Sequence, residues 1–593
     1  MSIDKKEKLT TANIAEKANL IWEIATHIVG LYKPHEYGKV ILPFTVLKRF
    51  DDALKDTKQE VIKKNDQLKK DKVIDVLKDT ALKKVAKHDF YNVSKFDFEK
   101  LVADSENIES NFNDYMLGFS DNVKDILENF EFSNTIKTLV KGNKLFIVIQ
   151  EFNSKKADMS PDKITSADMG YIFEELIRKF SESYDEQAGA HFTSRDVIYL
   201  MTELLVSPEK SIIKKEGCNK TVYDMAMGTS QMLGCLEEKV KEINDESTLN
   251  CFGQEFNPET YAIAKSDMLI KGGNANGMKF GDTLNNDQFK DMQFDYIISN
   301  PPFGIDWKSE REAVEKEAKL GFNGRFGAGL PAISDGQMLF LQNGVKKLKD
   351  TGRMAIIQNG SSLFTGDAGS GPSEIRKYLI SDEDMIEAII QLPNDLFYNT
   401  GISTYIWVLS HKNNESKKRI GKVQLIDASK CFVKRKKNIG NKRVDLNDTC
   451  IKMIVKAYNE FNDEVYTNDE LVVESKVFDN EYFGYTKVTV ETAEVDKNGN
   501  KVMKKDKPVV EKGKTDYETI PLNQDIDEYF AKEVLPYNNL AFMDRSKDKI
   551  GYEIPFTRIF YKFVPPRKSE EIFEELKELS LEESKLMKEI LNG

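Results

Sequence analysis

Residues 10–30, TTANIAEKANLIWEIATHIVG, place Leu20, Ile21, Ile24 and Ile28 on one face at helical spacing, and Gly30 supplies a stop. Helical texture continues to about residue 160. A Lys-rich stretch from Lys55 to Lys87 interleaves its bases with acids, as a solvated helical surface does. The aromatics of FYNVSKFDFEKL and YMLGFS read as core between helices. Beyond residue 160 the period shortens. Apolar runs (KTVYDMA, LNCFGQE, FDYIISN, RMAIIQN, MIEAIIQL and TYIWVLS) alternate with helical patterns to about residue 430. Strands separated by helices predict an α/β domain, a parallel sheet with helices on both faces, whose ligands bind beyond the carboxyl ends of the strands. A basic segment follows, Lys434, Arg435, Lys436, Lys437, Lys442 and Arg443, then KVTVETAEVDKNGNKVMKKDKPVV, which reads as a hairpin turning at Asn498-Gly499. The closing helix carries Ile572, Leu579 and Leu586 at intervals of seven, with Leu576 and Ile590 beside them. That stripe suits a partner helix or packing on its own domain equally well. The expected organisation is a helical domain over 1–160, an α/β domain over 161–470, and a mixed, partly helical region over 471–593.

Composition narrows this picture. The chain has 593 residues, 40% hydrophobic and 31% charged, in the range of a folded globular protein. No apolar stretch approaches the ~18 residues needed to span a membrane, and the opening MSIDKKEKLT lacks a signal-peptide core. The five cysteines and five histidines are scattered without metal-ligand spacing, so no metal site is expected, and free thiols suit the cytoplasm. With 86 Lys and Arg against 98 Asp and Glu, the net charge of −12 argues against gripping nucleic acid through bulk charge, while leaving room for a local basic face or a partner that supplies one.

The chemistry concentrates at predicted strand ends. FDYIISNPPFG is an apolar strand ending in Asn300, Pro301, Pro302 and Phe303. The two prolines remove two N–H donors and leave the Pro301 carbonyl as an acceptor. Asn300 offers an amide oxygen and Phe303 a flat face. Two acceptors and a stacking ring are what an exocyclic amine on a planar base requires. As a bare tetrapeptide the segment could equally be a strand-ending turn. Upstream, TVYDMAMGTSQML ends a strand at Asp224 and turns through Gly228, Thr229 and Ser230, where glycine permits a close approach of a cofactor. It lacks the Lys of a phosphate loop and matches GxGxxG poorly. The next strands end at Glu255, a carboxylate able to accept from a ribose diol, and at Asp282, able to accept from an adenine amine.

Together these segments resemble an S-adenosylmethionine-dependent amino-group DNA methyltransferase, with a Rossmann-like domain. GQEFNPETYAIAKSDMLIKG, NPPFG and GYEIPFTRIFYKF are similar to the modification subunit of type I restriction–modification systems, over nearly the whole chain. AGAHFTSRD before Asp224, and MGYIFEELIRKF with Phe173 and Glu174, fit the same order. The resemblance implies that Thr193 touches the methionine end of the cofactor and that Asp224, Gly228 and the adjoining Thr229 and Ser230 flank it. It also implies that Glu255 takes the ribose and Asp282 the adenine, with Asn300 and Pro301 holding the N6 amine of a flipped adenine and Phe303 stacking on it. The implied partners are double-stranded DNA, a DNA specificity subunit, a second copy of the chain, and a nuclease or translocase restriction subunit. The sequence departs from the family at Met225 and Ser194, where proline is usual, and at Ser230 and Gln231, where two glycines are usual. The rival readings are an N5-glutamine protein methyltransferase and a catalytically idle assembly subunit.

Overall fold

The computed structural model describes residues 19–33, 36–164, 168–169, 172–173, 176, 193–398, 400–412, 414–497, 500–504, 507–563 and 567–592. Two compact units are distinguished, one running to Ile554 and one from Pro555.

Helices dominate the first part of the larger unit, among them Gly38–Leu54, Lys58–Lys70, Asp75–Ala86 and Phe132–Lys141. Ile21, Ile24 and Ile28 are buried there as their spacing predicts. The aromatics are core: Phe44 packs against Phe112, Phe132 and Phe152, and Phe50 against Phe90 and Phe119. The same apolar cluster takes in Ala262, Ile263, Leu269 and Ile270 of the helix Pro258–Ile270. Lys265 on that helix pairs with Asp125 at 2.5 Å. The helical region is therefore seated on the α/β region rather than tethered to it.

The α/β region is built on a ten-stranded sheet. Its strands are β1 (Asn219–Asp224), β2 (Thr248–Glu255), β3 (Met278–Phe280), β4 (Phe294–Ser299), β5 (Leu348–Asn359), β6 (Ile386–Gln391), β7 (Thr404–Ser410), β8 (Lys422–Lys430), β11 (Glu464–Asn468) and β12 (Leu471–Asp479); β9 (Val433–Ile439) and β10 (Lys442–Asp445) form a separate hairpin. The spatial order is β11-β12-β8-β6-β7-β5-β4-β1-β2-β3. Strands β3, β2, β1, β4 and β5 are parallel neighbours, and so are β6 and β8. The expected all-parallel sheet is corrected in one respect: β7 runs antiparallel between β5 and β6, and β12 antiparallel to β8. The reason is the connection. Among the described residues no helix separates Gln391 from Thr404, so the chain folds straight back, Leu392 N–H bonding to Thr404 O at 2.9 Å.

Both faces of the sheet are covered. Val222, Tyr296, Ile298, Ala355, Ile357, Ala388, Ile390, Ile406 and Val408 share one core with the helices Arg195–Val206, Gln231–Ile243 and Asp448–Glu460. The period of two along each strand puts these on one face. Tyr223 and Phe252, of opposite parity to the core positions of β1 and β2, cluster with Phe289 and Phe294. Burial on both faces explains why the strands read as continuous apolar runs.

A smaller sheet pairs Gly484–Ala493 with Val510–Pro521, Ala541–Met543 and Lys549–Tyr552. The fully buried Arg376 fastens it, donating to Tyr552 O at 2.6 Å and to Ser362 O at 3.1 Å. The predicted turn at Asn498-Gly499 lies outside the described residues; on either side of it Val495 bridges Lys501 in antiparallel fashion. In the second unit, the helix Ser569–Asn592 leaves Ile572, Leu576, Leu579 and Leu586 exposed. Among the described residues no helix is long and apolar enough to cross a membrane.

Candidate active site

The carboxyl edge of the sheet gathers the predicted residues. Asn300 follows the last residue of β4, and its Nδ2 donates to Thr193 Oγ1 at 2.8 Å. Its Oδ1 is buried with no hydrogen-bond partner among the described residues. An unpaired buried carbonyl oxygen is costly, by roughly 1–3 kcal/mol, so a ligand donor reaching Oδ1 would be favoured. Pro301 is buried, while Pro302 and Phe303 are partly exposed, and Phe303 packs on the central core. Gly336 N–H bonds to Ile305 O at 3.0 Å, and Trp307 donates through Nε1 to Ala332 O at 2.9 Å, which pins the loop after Phe303.

Asp224 is wholly buried. Its Oδ1 accepts from Ser299 Oγ at 2.7 Å and from Ala226 N–H at 3.1 Å. Its first role is thus to bind the tip of β1 to the residue preceding Asn300. Burial pushes its carboxyl up to about 7, the Glu255 charge adding to the effect, against the pull of the Ser299 and Ala226 bonds. A carboxyl whose folded value is raised contributes stability that is full below its ordinary 3.8 and lost as the pH rises through about 7. A cation placed beside it would reverse that trend.

The turn after Asp224 shows why glycine is usual at one position where this chain departs from the family. Met227 N–H bonds to Gln254 O at 3.1 Å and Ser230 N–H to Met227 O at 2.7 Å, with Gly228 at φ +52°. The approach to β2 is close: a Cβ at Gly253 would meet Met227 Sδ at 2.3 Å. Ser230 also sits in the left-handed region, at φ +65° and ψ +19°. Glycine is usual there because the backbone demands it. Ser230→Gly is expected to stabilise the protein by about 1 kcal/mol, seen as a higher Tm; an unchanged or lower Tm would contradict the strain. Gln231 lines a cavity of ≈30 Å³ with Phe173, Arg195 and Glu238, about the space of one water. Met225 is buried, its carbonyl accepting from Thr283 Oγ1 at 2.6 Å.

Glu255 Oε2 accepts from Gly228 N–H and Oε1 from Asn257 N–H, both at 2.8 Å. The carboxylate therefore braces the turn, with one further lone pair on each oxygen for a ligand. Asp282 is partly exposed and accepts from Leu284 N–H at 2.9 Å. Thr229 is buried beside Ser230. Glu174 and residues 189–192 lie outside the described residues, whereas Ser194 accepts from Lys442 Nζ at 3.2 Å, a bond proline could not make.

Sequence reasoning missed two features of this edge. Phe256, 72% exposed, and Phe280 stand at the tips of β2 and β3, flat apolar faces beside the Glu255 and Asp282 acceptors. Their position directly at strand ends was the available clue. At the tip of β5, Gln337 Nε2 donates to Asp335 Oδ2, Asn359 Oδ1 and Ser361 Oγ at 2.7–2.8 Å. The basic segment is also corrected in part: Lys442 is buried and Arg435 pairs with Asp445, so neither is an open cation, while the Lys437 side chain lies outside the described residues.

Comparison with known proteins follows the same lines. The chain is 27% identical over 263 residues to the type I restriction enzyme HindI methylase subunit of Haemophilus influenzae, covering 44% of this chain and 54% of that one. To the type I restriction enzyme MpnII methylase subunit of Mycoplasma pneumoniae it is 32% identical over 269 residues, 42% of this chain and 45% of that one. The chain thus spans about half the length of these relatives. The crystal structure of a type I restriction–modification system methyltransferase subunit from Streptococcus thermophilus shares the fold, with TM-score 0.58 and 21% identity, over 79% of this chain and 97% of that one. The model of the HsdM N-terminal domain matches residues 17–152. The model of the N-6 DNA methylases matches residues 165–498, more than half of the chain, and the chain belongs to that family.

Proposed function

We propose that this chain transfers a methyl group from S-adenosylmethionine to the N6 amine of a flipped-out adenine in double-stranded DNA, as the modification subunit of a type I restriction–modification complex. The observation that carries the reading is the Asn300 amide, oriented by Thr193 with Oδ1 buried and unpaired. Family membership supports adenine as the base.

The residues present fit S-adenosylmethionine. The Gly228 turn keeps side-chain bulk away from a close ligand, Asp224 offers a buried carboxyl toward a cationic amino-acid end, and Glu255, Asp282 and Phe256 supply acceptors and an apolar face for a nucleoside. When bound, it supplies a methyl on a sulfonium, a leaving group that asks little of the protein beyond position. The chain's residues provide that position. Asn300 Oδ1 and the Pro301 carbonyl would accept the two amine hydrogens, drawing the nitrogen toward sp³ so that its lone pair is localised on the nitrogen and directed at the methyl. Phe303 stacks on the base, and Asp224 through Ser299 fixes the strand end carrying both acceptors. Flipping the base costs a few kcal/mol, offset by phosphate contacts and bending.

The partners follow from the same reading: a DNA specificity subunit to choose the site, a second copy of this chain, and a nuclease or translocase restriction subunit. The exposed apolar stripe of Ser569–Asn592 supports helix docking on the specificity subunit. The test is co-expression with the specificity subunit, followed by labelled methyl transfer and base-resolved mapping. Methyl-adenine at one recurring DNA sequence is expected. Label on a glutamine side chain of a protein, or no transfer, would overturn the reading.

A further inference from the structure

Hairpin β9–β10 stands at the carboxyl edge of the sheet, beside a cleft of ≈680 Å³. The cleft is lined by Gln391 at the end of β6 and Asn394 after it, Lys430 at the end of β8, and Lys434, Asn438 and Arg443 of the hairpin. Strands β6 and β8 run parallel to one another and, through antiparallel β7, in the direction of β5 and β4. The cleft therefore opens on the same edge as Asn300. Its lining carries four cations, Lys430, Lys434, Arg435 and Arg443, against one carboxylate, Asp395. In a chain of net charge −12 this is a local reversal of sign. Arg435 is engaged by Asp445, but Lys430, Lys434 and Arg443 are exposed. Asparagine and glutamine amides interleaved with such cations suit phosphate oxygens.

The hairpin is not a loose appendage. Asn441 N–H bonds to Tyr398 O at 2.9 Å and Arg443 N–H to Asp395 O at 2.8 Å. Between them Lys442, its side chain only 2% exposed, drives inward. Its ammonium reaches Leu396 O at 3.0 Å, Asp196 Oδ2 at 3.0 Å and Ser194 Oγ at 3.2 Å. Asp196 Oδ2 also takes Leu446 N–H at 2.8 Å, just past the hairpin. Ser194 adjoins Thr193, whose hydroxyl orients the Asn300 amide. One buried ammonium thus joins the basic hairpin to the turn that aims the acceptor.

We propose that β9–β10 is a clamp for the backbone phosphates of duplex DNA beside the target base, and that Lys442 is a positioning residue that holds this clamp in register with Asn300. The inference rests on the methyltransferase reading above. Phosphate grip at the hairpin then sets the distance from the strand to the acceptor pair, so that the flipped base arrives where Oδ1 waits. The chain's own sequence selectivity is unaffected, since phosphates carry none.

The test uses the full chain with its specificity subunit, a fluorescein-labelled 30-base-pair duplex, and anisotropy across a salt series. Lys434→Gln with Arg443→Gln is expected to weaken binding about tenfold at low salt and to flatten the log–log salt dependence by about two units, roughly one for each phosphate no longer neutralised. Calorimetry with S-adenosylmethionine is expected to be unchanged. Lys442→Met is expected to leave duplex affinity within about twofold while lowering the methyl-transfer rate at least ~10-fold, the split a positioning fault produces. Should that variant fail to fold, Asp196→Asn, which weakens one acceptor of the same ammonium, carries the same split in smaller measure. Unchanged affinity and salt slope in the double variant, while the wild type methylates DNA, would overturn the clamp and leave the enzyme reading standing. An unchanged rate in a folded Lys442 or Asp196 variant would overturn the positioning role. A wild-type complex that neither binds the duplex nor methylates DNA would overturn both readings together.

Discussion

Asn300→Ala is expected to lower methyl transfer at least ~10³-fold, about 4 kcal/mol of transition-state stabilisation, while S-adenosylmethionine binds within about twofold of wild type. The magnitude is that of losing a fixed polar group aimed at developing charge, where a single group is worth ~10²–10³ in rate; here the same change also removes the donor to Thr193. The binding half follows from position. Asn300 lies past β4, whereas Asp224, Glu255 and Asp282, proposed for the cofactor at the ends of β1, β2 and β3, keep their own bonds: Asp224 to Ser299, Glu255 to Gly228 and Asn257, Asp282 to Leu284; among the proposed cofactor residues only Thr193 loses a bond, the one from Asn300 Nδ2. Asn300→Asp is a useful companion. It retains an acceptor of similar shape but cannot donate to Thr193, so the orientation is lost and the rate falls too. Label transfer with single-turnover kinetics measures the rates, and calorimetry the binding. Near-normal turnover in Asn300→Ala would refute the amine-acceptor mechanism.

Asn300 was legible because its chemistry is local. A strand, an amide, two residues without N–H and an aromatic are all written in seven or eight consecutive letters, and the strand-end rule places them. The same rule found Asp224, Glu255 and Asp282. What it could not supply was what each carboxylate does there. Asp224 spends one oxygen on Ser299 and Ala226, and Glu255 holds the Gly228 turn; both are framework groups of this edge. The family departures became intelligible only through backbone angles and distant partners. Ser230 looks innocuous in sequence and stands at φ +65°. Ser194 has a reason in Lys442, 248 residues away. In the sequence that lysine reads as one more cation of the basic segment, because charge runs show composition and not direction. The strand TYIWVLS is legible in the sequence, but its antiparallel direction is not. TYIWVLS has the apolar continuity of its parallel neighbours, and only the missing helix between Gln391 and Thr404 betrays its reversal.

That reversed strand is held by a buried charge cluster, and Glu387→Ala is expected to cost about 3–5 kcal/mol of stability. Glu387, on β6, receives Arg353 of β5 through two bonds of 2.9 and 3.1 Å, Tyr458 Oη at 2.6 Å, and the Ser410 hydroxyl at the end of β7, with Arg419 at 3.6 Å. Truncation leaves Arg353 and Arg419 buried without their shared carboxylate, which is the costly state; replacing Arg353 and Glu387 together by Met and Leu should recover the part due to Arg353, leaving only Arg419 without its carboxylate. Burial alone would raise the Glu387 carboxyl, but the Arg353 and Arg419 guanidiniums outweigh it and hold it down to about 2. A carboxylate depressed in this way contributes fully above its ordinary 4.5 and loses that contribution as the pH falls toward about 2. Wild type should therefore lose stability steeply across that interval, and the double replacement less steeply. Denaturant unfolding at pH 7 and in acid measures both. Arg353 lies six residues before Asn359 along β5, some ~20 Å from the carboxyl edge. A folded Glu387→Ala protein should thus keep its affinity for S-adenosylmethionine, which separates loss of framework from loss of site; an unaltered unfolding midpoint would show that the cluster does not hold the sheet.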